Sequence, residues 1–333
     1  MPLEVEHRGS RWRSTAQSRA GVTIGLLNNM PDPALEATEQ QFGALLRAAA
    51  GSRTVRLRFS SLPELTRGPA ARERINSRYW TLDELLSQRP DALIVTGTEP
   101  RTPALEEEPY WERLARLIDW AEANTAASIW SCLAAHAVAQ ALHGVRRRRL
   151  AEKRFGVFEH RVREGHSLIE GVRAPLPTPH SRWNDLPVEA LEAAGFAILS
   201  FSRETGADLF VSTRRSLLVC FQGHPEYESA TLLKEYRRDV GRYLRGEQEA
   251  WPTLPHGYFT HAGTPEALRL IETFRERAEV ARDPHLLADF PVGRLAAGLE
   301  ARWQPEAVTI YRNWLEYVAT AKERTRQPAV AGV

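Results

Sequence analysis

The sequence predicts an α/β fold in which a mostly parallel sheet carries helices on both faces. Apolar runs short enough for strands alternate with longer segments of helical periodicity, which is the pattern of parallel strands joined by helices. Most of these runs are apolar throughout, so both faces of the sheet are expected to be covered. With 333 residues, 43% of them hydrophobic, the chain is long enough for one large α/β domain or two smaller ones.

The predicted elements divide the chain into three segments. The strands of the first half are Val22–Leu27, Val55–Phe59, Ala92–Thr96 and Ala127–Ser131, and its helices are Ala34–Ala50, Tyr110–Ala123 and Leu133–Leu142. The later strands are Gly156–Val162, Ala197–Ser202, Asp208–Thr213 and Leu217–Phe221, and the later helices lie near Glu228–Leu244, Pro265–Ala278 and Glu306–Ala321. We therefore expect a partly ordered arm over residues 1–20, an α/β domain over 21–250 and a helical extension over 251–333 packed on it.

Composition excludes several classes of protein. The formal charge is +2, from 44 basic and 42 acidic residues, so no global field favours nucleic acid or an anionic membrane. Two cysteines cannot build a disulfide framework and suit a reducing compartment. The sequence lacks both a run of about 18 apolar residues and the apolar stretch of a secretory signal. We expect a soluble, cytoplasmic protein.

Cys132 stands at the junction of an apolar strand and a helix of small residues. At such a turn the side chain faces the amino end of the helix, whose partial positive charge favours a thiolate. The backbone N–H of Leu133 can then point at a developing oxyanion. A lone cysteine is more often a buried structural residue, and Cys220, inside Leu217–Phe221, fits that interpretation.

A histidine and a glutamate two residues apart follow the strand Leu217–Phe221. In extended backbone His224 and Glu226 point the same way, so the carboxylate can orient the imidazole and stabilise its protonated form. Taken alone, this segment is explained equally well as a surface turn. Together with the Cys132 turn, it favours a cysteine nucleophile served by His224 and Glu226.

Other polar residues near these positions have weaker signals. His136, four residues after Cys132, is a competing base, but nothing in the sequence orients it. The turn after Ala92–Thr96 can supply a second oxyanion N–H, from Thr98, and Gly97 permits close backbone approach. No metal-ligand spacing, phosphate loop or dinucleotide fingerprint occurs in the sequence, so no metal is expected.

Charged residues elsewhere have ordinary explanations as well as functional ones. Glu235 and Arg238 are three residues apart on one predicted helix and can simply pair with each other. The run Arg146–Arg149 could meet a phosphate-bearing cofactor, although a charge run is usually a solvated face.

A set of motifs, in order along the chain, resembles the homoserine O-acyltransferase family, which comprises homoserine O-succinyltransferases and their acetyl-transferring relatives. Besides the Cys132 turn, the matching segments are Ile24–Asp32, Leu93–Gly97, Tyr110–Trp111, Glu152–His160, Pro179–Arg182, Gly223–Tyr227, Lys234–Val240 and Asn313–Leu315. They span about Val22–Gly246 with a shorter match near the end, and only the set is specific. The resemblance implies a class I glutamine-amidotransferase-like, flavodoxin-like fold.

The resemblance also implies roles for individual residues. Cys132 would carry the acyl group as a thioester, with His224 as general base and Glu226 orienting it. Among the remaining positions of the motifs, Lys153 and Ser181 would line the substrate pocket, Arg238 would hold the carboxylate of the amino acid, and Glu235 would face its ammonium group.

The implied reaction passes an acyl group from an acyl-CoA through the cysteine to the hydroxyl of L-homoserine, a step of methionine synthesis. The acyl-CoA is a co-substrate, and no resident cofactor is expected. Family members are commonly dimers, so we expect a homodimer with small-molecule substrates and neither nucleic acid nor membrane as partner.

The chain departs from the family pattern at two places. Leu133 replaces the aromatic residue that usually follows the nucleophile. At the position that separates acetyl from succinyl donors, this chain has Arg101. We expect its guanidinium to hold a carboxylate on the acyl chain, which favours succinyl-CoA; if Arg101 faces solvent, the donor is acetyl-CoA.

Other functions remain open at this point. A glutamine-hydrolysing amidotransferase would use the same strand–helix turn, oxyanion loop and His-x-Glu pair, although no synthetase module is evident. A binding protein could retain the fold without catalysis. The same chemistry could also act on serine or another hydroxy amino acid.

Overall fold

A computed structural model describes residues 3–9, 21–260 and 263–326, and over these residues an eight-stranded sheet forms the centre of the protein. Side by side, its strands are β1 (Leu3–Val5), β3 (Val55–Ser60), β2 (Val22–Leu27), β4 (Ala92–Val95), β5 (Ala127–Ser131), β12 (Leu217–Phe221), β11 (Leu209–Thr213) and β8 (Ala197–Ile198). The pairings from β1 across to β12 are parallel, whereas β11 pairs antiparallel with both β12 and β8. The predicted α/β class with a mostly parallel sheet is confirmed.

A second sheet, four-stranded within the same described residues, stands beside the first. It consists of β10 (Gly206–Ala207), β9 (Ser200–Ser202), β6 (Arg148–Val162) and β7 (Leu176–Asp185). Its long antiparallel pair, β6 with β7, places Phe155 opposite Ser181. This pair brings the motifs around Lys153 and Ser181 to the edge of the main sheet.

Helices cover both faces of the main sheet. They are α1 (Leu35–Ala49), α2 (Pro69–Arg78), α3 (Leu82–Ser87), α4 (Trp111–Asn124), α5 (Leu133–His143), α6 (Val188–Ala193), α7 (Thr231–Leu244), α8 (Thr264–Val280), α9 (Val292–Ala296) and α10 (Gln304–Arg326). Helices α1 and α10 bury Phe42 and Trp314 on one face, and α4 and α5 bury Leu117 and Val138 on the other. A third apolar cluster, around Tyr236, packs α7 and α8 against β6.

Most predicted elements lie within a few residues of the observed ones. The predicted strands that differ most belong to the second sheet, where β6 begins at Arg148 and not at the predicted Gly156. The single predicted strand Ala197–Ser202 was wrong, because its two halves belong to different sheets: β8 pairs with β11, and β9 pairs with β6. Strands β7 and β10 were not predicted, nor were helices α2, α3, α6 and α9.

The ends of the chain extend this picture. Within the predicted arm over residues 1–20, Leu3–Val5 adds an edge strand to the main sheet, and residues 10–20 lie outside the described residues. The division into three segments stays a prediction. Among the described helices, none combines the length and the apolar character needed to cross a bilayer.

Candidate active site

The candidate nucleophile and base follow two neighbouring strands of the main sheet. Strands β5 and β12 are parallel, with Ser131 opposite Phe221. Cys132 follows Ser131, and Gln222 follows Phe221, so Cys132 and Gln222 leave the sheet side by side. His224 comes two residues after Gln222. Both segments therefore leave the sheet at its carboxyl edge, where open α/β sheets bind their ligands.

Cys132 occupies the sharp turn predicted between β5 and α5. Its backbone has φ +53° and ψ −113°, which a non-glycine residue adopts only where the surrounding structure holds it. The Cys132 N–H donates to the Phe221 carbonyl at 2.7 Å, and α5 begins at Leu133. The side chain is partly exposed, so the thiol is reachable at the amino end of the helix.

His224 links Cys132 to Glu226. Its Nδ1 lies 2.8 Å from Glu226 Oε1, and its ring interacts with the Cys132 side chain. Burial alone would lower the pKa of His224, but the Glu226 carboxylate and the interactions with Glu226 and Cys132 hold it well above its ordinary value. The buried imidazole therefore favours its protonated form beside the sulfur. The Cys132–His224–Glu226 triad predicted from separate motifs comes together in the structure.

A buried aspartate anchors the loop that carries His224. The His224 N–H donates to the Pro179 carbonyl at 2.8 Å, and the Gly223 N–H donates to Asp208 Oδ1 at 2.9 Å. A Cβ on Gly223 would lie 2.5 Å from Thr178 Cγ2, so only glycine permits this approach of the loop to β7. The base is thereby positioned by the second sheet.

Gly97 brings a second loop against the Cys132 turn. A Cβ on this glycine would lie 3.0 Å from the Leu133 nitrogen and 3.2 Å from the Ser131 carbonyl oxygen. Thr98 directly follows Gly97, so the backbone segment with the Thr98 N–H lies beside the segment with the Leu133 N–H. Asn29 holds this loop in place, because its N–H donates to Thr96 Oγ1 at 2.8 Å. The structure thus brings together the two segments that contain the predicted oxyanion donors.

Tyr227 joins the triad to the predicted acceptor residues, which also contact one another. Tyr227 stacks on the His224 ring with centroids 4.4 Å apart, and its hydroxyl donates to Glu235 Oε1 at 2.6 Å. The Ser181 hydroxyl donates to the other Glu235 oxygen. Arg238 lies 3.7 Å from Glu235 and keeps about half of its side chain exposed, which leaves its guanidinium available to a ligand.

Lys153, on β6, lies next to the same acceptor residues. Its Nζ contacts Asp239 Oδ2 at 2.8 Å, and Arg238 Nε donates to Asp239 Oδ1 at 3.1 Å. The Lys153 ammonium also lies 4.1 Å from the centre of the Phe155 ring. Lys153, Ser181, Glu235 and Arg238 therefore form one connected group, although they come from β6, β7 and α7.

Arg101 lies on the loop that follows Thr98. Its backbone N–H donates to the buried Glu108 carboxylate at 2.6 Å, while its side chain is exposed. Along the described part of the chain, its guanidinium has no hydrogen bond or ion pair with another residue. Arg147, half-buried, secures this loop by donating to the Thr102 and Pro103 carbonyls, and it lies within electrostatic reach of Cys132.

Two other candidates take structural positions. His136 is buried against Gln222, at 3.0 Å, and burial with the nearby Arg182 lowers its pKa to about 3. Such a histidine is neutral, and its partner is a core amide, so His136 packs in the core and does not serve Cys132 as a base. Cys220 is fully buried, and burial raises the pKa of its thiol.

Three buried groups approach one another closely enough to share a metal ion. One ligand atom from each of His160, His180 and Asp208 lies within 4.8 Å of the others. Hydrogen bonds within the chain already engage all three: Thr205 Oγ1 lies 2.8 Å from His160 Nε2, Arg182 Nε donates to His180 Nδ1 at 3.2 Å, and the Gly223 N–H donates to Asp208 Oδ1. We interpret the group as a polar network beneath the base loop; the absence of a metal stays a prediction.

Sequence reasoning missed Tyr227, Asp208 and Arg147 as parts of this site. Tyr227 belongs to the family motif Gly223–Tyr227, and its position directly after Glu226 was the feature of the sequence that could have indicated its role. Arg147 was visible only as part of a charge run. Asp208 had no local signal, because its role depends on the distant Gly223.

The fold is that of the class I glutamine amidotransferases, and Cys132, His224 and Glu226 lie together at the carboxyl edge of its sheet. The solved glutamine amidotransferase from Methylobacillus flagellatus has this fold: the match covers 90% of this chain and 95% of that one, with a TM-score of 0.50 at 16% identity. The predicted fold family is confirmed.

The sequence comparisons identify the family. A family model described as homoserine O-succinyltransferase matches residues 9–325. A homoserine O-succinyltransferase of Rhodopseudomonas palustris is 46% identical over 96% of this chain and 94% of its own length. The homoserine O-succinyltransferase of Methylorubrum extorquens is 42% identical over 93% of this chain and 91% of its own length. The chain belongs to the homoserine O-succinyltransferase family, which confirms the predicted resemblance on its succinyl-transferring branch.

Proposed function

We propose that this chain transfers a succinyl group from succinyl-CoA to the hydroxyl of L-homoserine, forming O-succinyl-L-homoserine for methionine synthesis. The observation that carries the proposal is the contact of Cys132 with a buried His224–Glu226 pair at the carboxyl edge of the sheet. The names of the relatives supply the acyl group and the acceptor. Acyl-CoA enters as a co-substrate, and the chain needs no resident cofactor for this chemistry.

In the first step the Cys132 thiolate attacks the thioester carbonyl of the donor. A bond forms between Sγ and the carbonyl carbon, and the bond from that carbon to the CoA sulfur breaks. CoA leaves as a thiol by taking a proton from the His224 imidazolium, which becomes neutral. The raised pKa of His224 supports this assignment, because the proton must be held until the leaving group needs it.

In the second step the homoserine hydroxyl attacks the acyl-enzyme. Its proton passes to neutral His224, an ester C–O bond forms, and the bond to Sγ breaks. Cys132 returns as a thiolate beside imidazolium, so the enzyme is restored. Glu226, at 2.8 Å from Nδ1, orients the ring in both steps. The N–H groups of Leu133 and Thr98 stabilise the oxyanion formed each time.

The acceptor binds at the group formed by Lys153, Ser181, Glu235 and Arg238. The half-exposed Arg238 guanidinium pairs with the homoserine carboxylate, and Glu235 faces the ammonium group. Lys153 and Ser181 line the pocket between them. A zwitterionic amino acid fits this arrangement because the two charges of opposite sign already stand 3.7 Å apart. We further expect a cytoplasmic homodimer.

Intact-mass spectrometry without acceptor tests the proposal. Mixed with succinyl-CoA, the protein should gain the mass of one succinyl group, located on the peptide that contains Cys132, and added homoserine should remove it. Acetyl-CoA in parallel reports the donor preference, and a glutaminase assay reports the amidotransferase alternative. An unmodified protein that hydrolyses glutamine would overturn the proposal, and so would an unmodified protein active in neither assay.

The Arg101 side chain is exposed, but the names of the relatives favour succinyl-CoA over acetyl-CoA as donor. We expect the Arg101 guanidinium to select this donor by pairing with the free carboxylate of the succinyl group. Arg101→Ala should lower kcat/KM for succinyl-CoA by about tenfold, the loss of one exposed charge-assisted contact, and leave that for acetyl-CoA unchanged. The matched control is Arg116→Ala, at another exposed arginine, on α4. Equal changes for both donors would contradict this role.

A further inference from the structure

We propose that the nucleotide end of the CoA donor binds on a platform formed by Arg149 and Trp183. This inference rests on the proposed function, because it assumes a CoA thioester as donor. The platform lies on the exposed edge of the β6–β7 pair: the Arg149 guanidinium stands over the Trp183 indole, 4.4 Å from the ring centre. Nothing in the chemistry at Cys132 accounts for it.

Strand geometry connects the platform with the pocket. Trp183 and Ser181 are two residues apart on β7, so their side chains leave the same face about 7 Å from each other. Ser181 is hydrogen-bonded to Glu235 in the acceptor pocket. The face that lines the pocket at Ser181 therefore continues outward to Trp183. A ligand whose reactive end is at Cys132 and whose other end is flexible and long can follow this face.

The chemistry of the pair suits an adenine nucleotide. Trp183 is one of the few large apolar side chains that remain well exposed among the described residues, at 43%. An indole offers a flat surface on which a base stacks, worth about 1–3 kcal/mol per stacked base. A guanidinium beside it can hold phosphate oxygens with two parallel hydrogen bonds. CoA carries both groups together, as an adenine with a diphosphate and a 3′-phosphate.

The charges along the run Arg146–Arg149 single out the last of them. Arg146 pairs with Glu106, and Arg148 pairs with Asp185. Arg147 is committed to the carbonyls of the loop after Thr98. Over residues 3–9, 21–260 and 263–326, Arg149 has no acidic partner, and its contact is the indole. Its charge is therefore available to an anion.

The same run leads from the neighbourhood of Cys132 towards the platform. Arg147 lies within electrostatic reach of Cys132, where the thioester must react. Arg149, two residues further, stands at the platform. The arm of pantetheine that joins the thioester to the nucleotide would thus lie along the start of β6. This placement would give the run Arg146–Arg149 a role in binding the donor, beyond that of a solvated surface.

The test compares a full CoA donor with a donor that lacks the nucleotide. Trp183→Ala and Arg149→Ala should each raise KM for succinyl-CoA about tenfold without changing kcat or KM for homoserine. With the succinyl thioester of N-acetylcysteamine, both variants should match the wild type. Adenosine 3′,5′-bisphosphate should inhibit the wild type competitively against succinyl-CoA, with a Ki about tenfold higher in the variants. The matched control is Arg163→Ala, which removes another arginine stacked on an aromatic ring, Phe201, elsewhere in the second sheet.

The outcomes separate this inference from the proposed function. If the wild type forms no acyl-enzyme from either thioester, the proposed function fails. If the wild type is acylated but the two platform variants keep the wild-type KM for succinyl-CoA, the platform is a solvated surface pair and the inference is overturned. Equal losses with both thioesters would also overturn it, because the residues would then act on folding or on the pocket and not on the nucleotide.

Discussion

Replacing Cys132 by alanine should lower kcat for succinyl transfer by at least about 10⁴-fold, because no other group can carry the acyl chain between the two substrates. The residue contributes little to packing, since its side chain is partly exposed at the turn. Alanine also retains the backbone bond from residue 132 to the Phe221 carbonyl. The measurement is steady-state transfer to homoserine, with intact mass after exposure to succinyl-CoA.

The second cysteine provides the matched control. Cys220 lies in β12, next to β5, and is fully buried, so Cys220→Ala removes a thiol of the same protein without touching the turn. This variant should still be acylated once per chain and turn over at a rate close to that of the wild type. A Cys132→Ala protein that is folded and keeps more than a tenth of the activity would refute the acyl-enzyme mechanism.

Most strands of the main sheet could be predicted because their sequences are short and largely apolar. Val22–Leu27, Ala127–Ser131 and Leu217–Phe221 have the same bounds in the structure as in the prediction. Such runs are buried on both faces, so local pattern alone marks them. What the pattern omits is the order of the strands. That β12 lies beside β5, and thus that His224 meets Cys132, is a property of the assembled sheet.

The second sheet escaped prediction for reasons visible in its residues. Strand β7 contains Pro177 and Pro179, which have no N–H for a ladder and argue against a strand. The pair with β6 is also interrupted by a register shift between Arg149 and Arg154. At Leu199 the chain passes from one sheet to the other, with its N–H bonded to Leu209. Apolar content is nearly continuous there, so no local signal marks the change.

The supporting part of the candidate site depends on contacts between distant segments. Asp208 and Gly223 are fifteen residues apart, and Tyr227 and Glu235 eight. The number of residues between the members of each pair is not one that a known motif requires, so the spacing does not predict the contact. The chemical groups of the triad could be named from residue types and strand ends, whereas the residues that position them become visible only through burial and hydrogen bonding.

Replacing Glu226 by glutamine should narrow the pH range of the reaction and lower kcat/KM for succinyl-CoA by roughly 10²–10⁴-fold at neutral pH. Burial opposes the charge on His224, and the Glu226 carboxylate is the largest influence that favours it. Glutamine keeps a hydrogen-bond acceptor at Nδ1 but removes that charge, so the pKa of His224 should fall. The basic limb of the pH profile, where His224 loses the proton that CoA needs, should move to lower pH. His224→Asn is the control, because it should abolish that limb altogether.

Stability provides a measurement of the same pair that does not depend on catalysis. A histidine whose folded-state pKa is raised stabilises the protein fully below its unfolded value of about 6.5, and this contribution is lost as pH rises through the folded-state pKa. The wild type should therefore be more stable than Glu226→Gln by about 1–3 kcal/mol at pH 6, the worth of a hydrogen bond to a charged group, and the difference should shrink in alkaline solution. A difference in unfolding free energy that stays constant from acid to alkaline pH, together with an unmoved basic limb, would mean that Glu226 does not hold the proton on His224. The imidazole that gives the proton in the first step and takes it in the second would then require another source for its raised pKa.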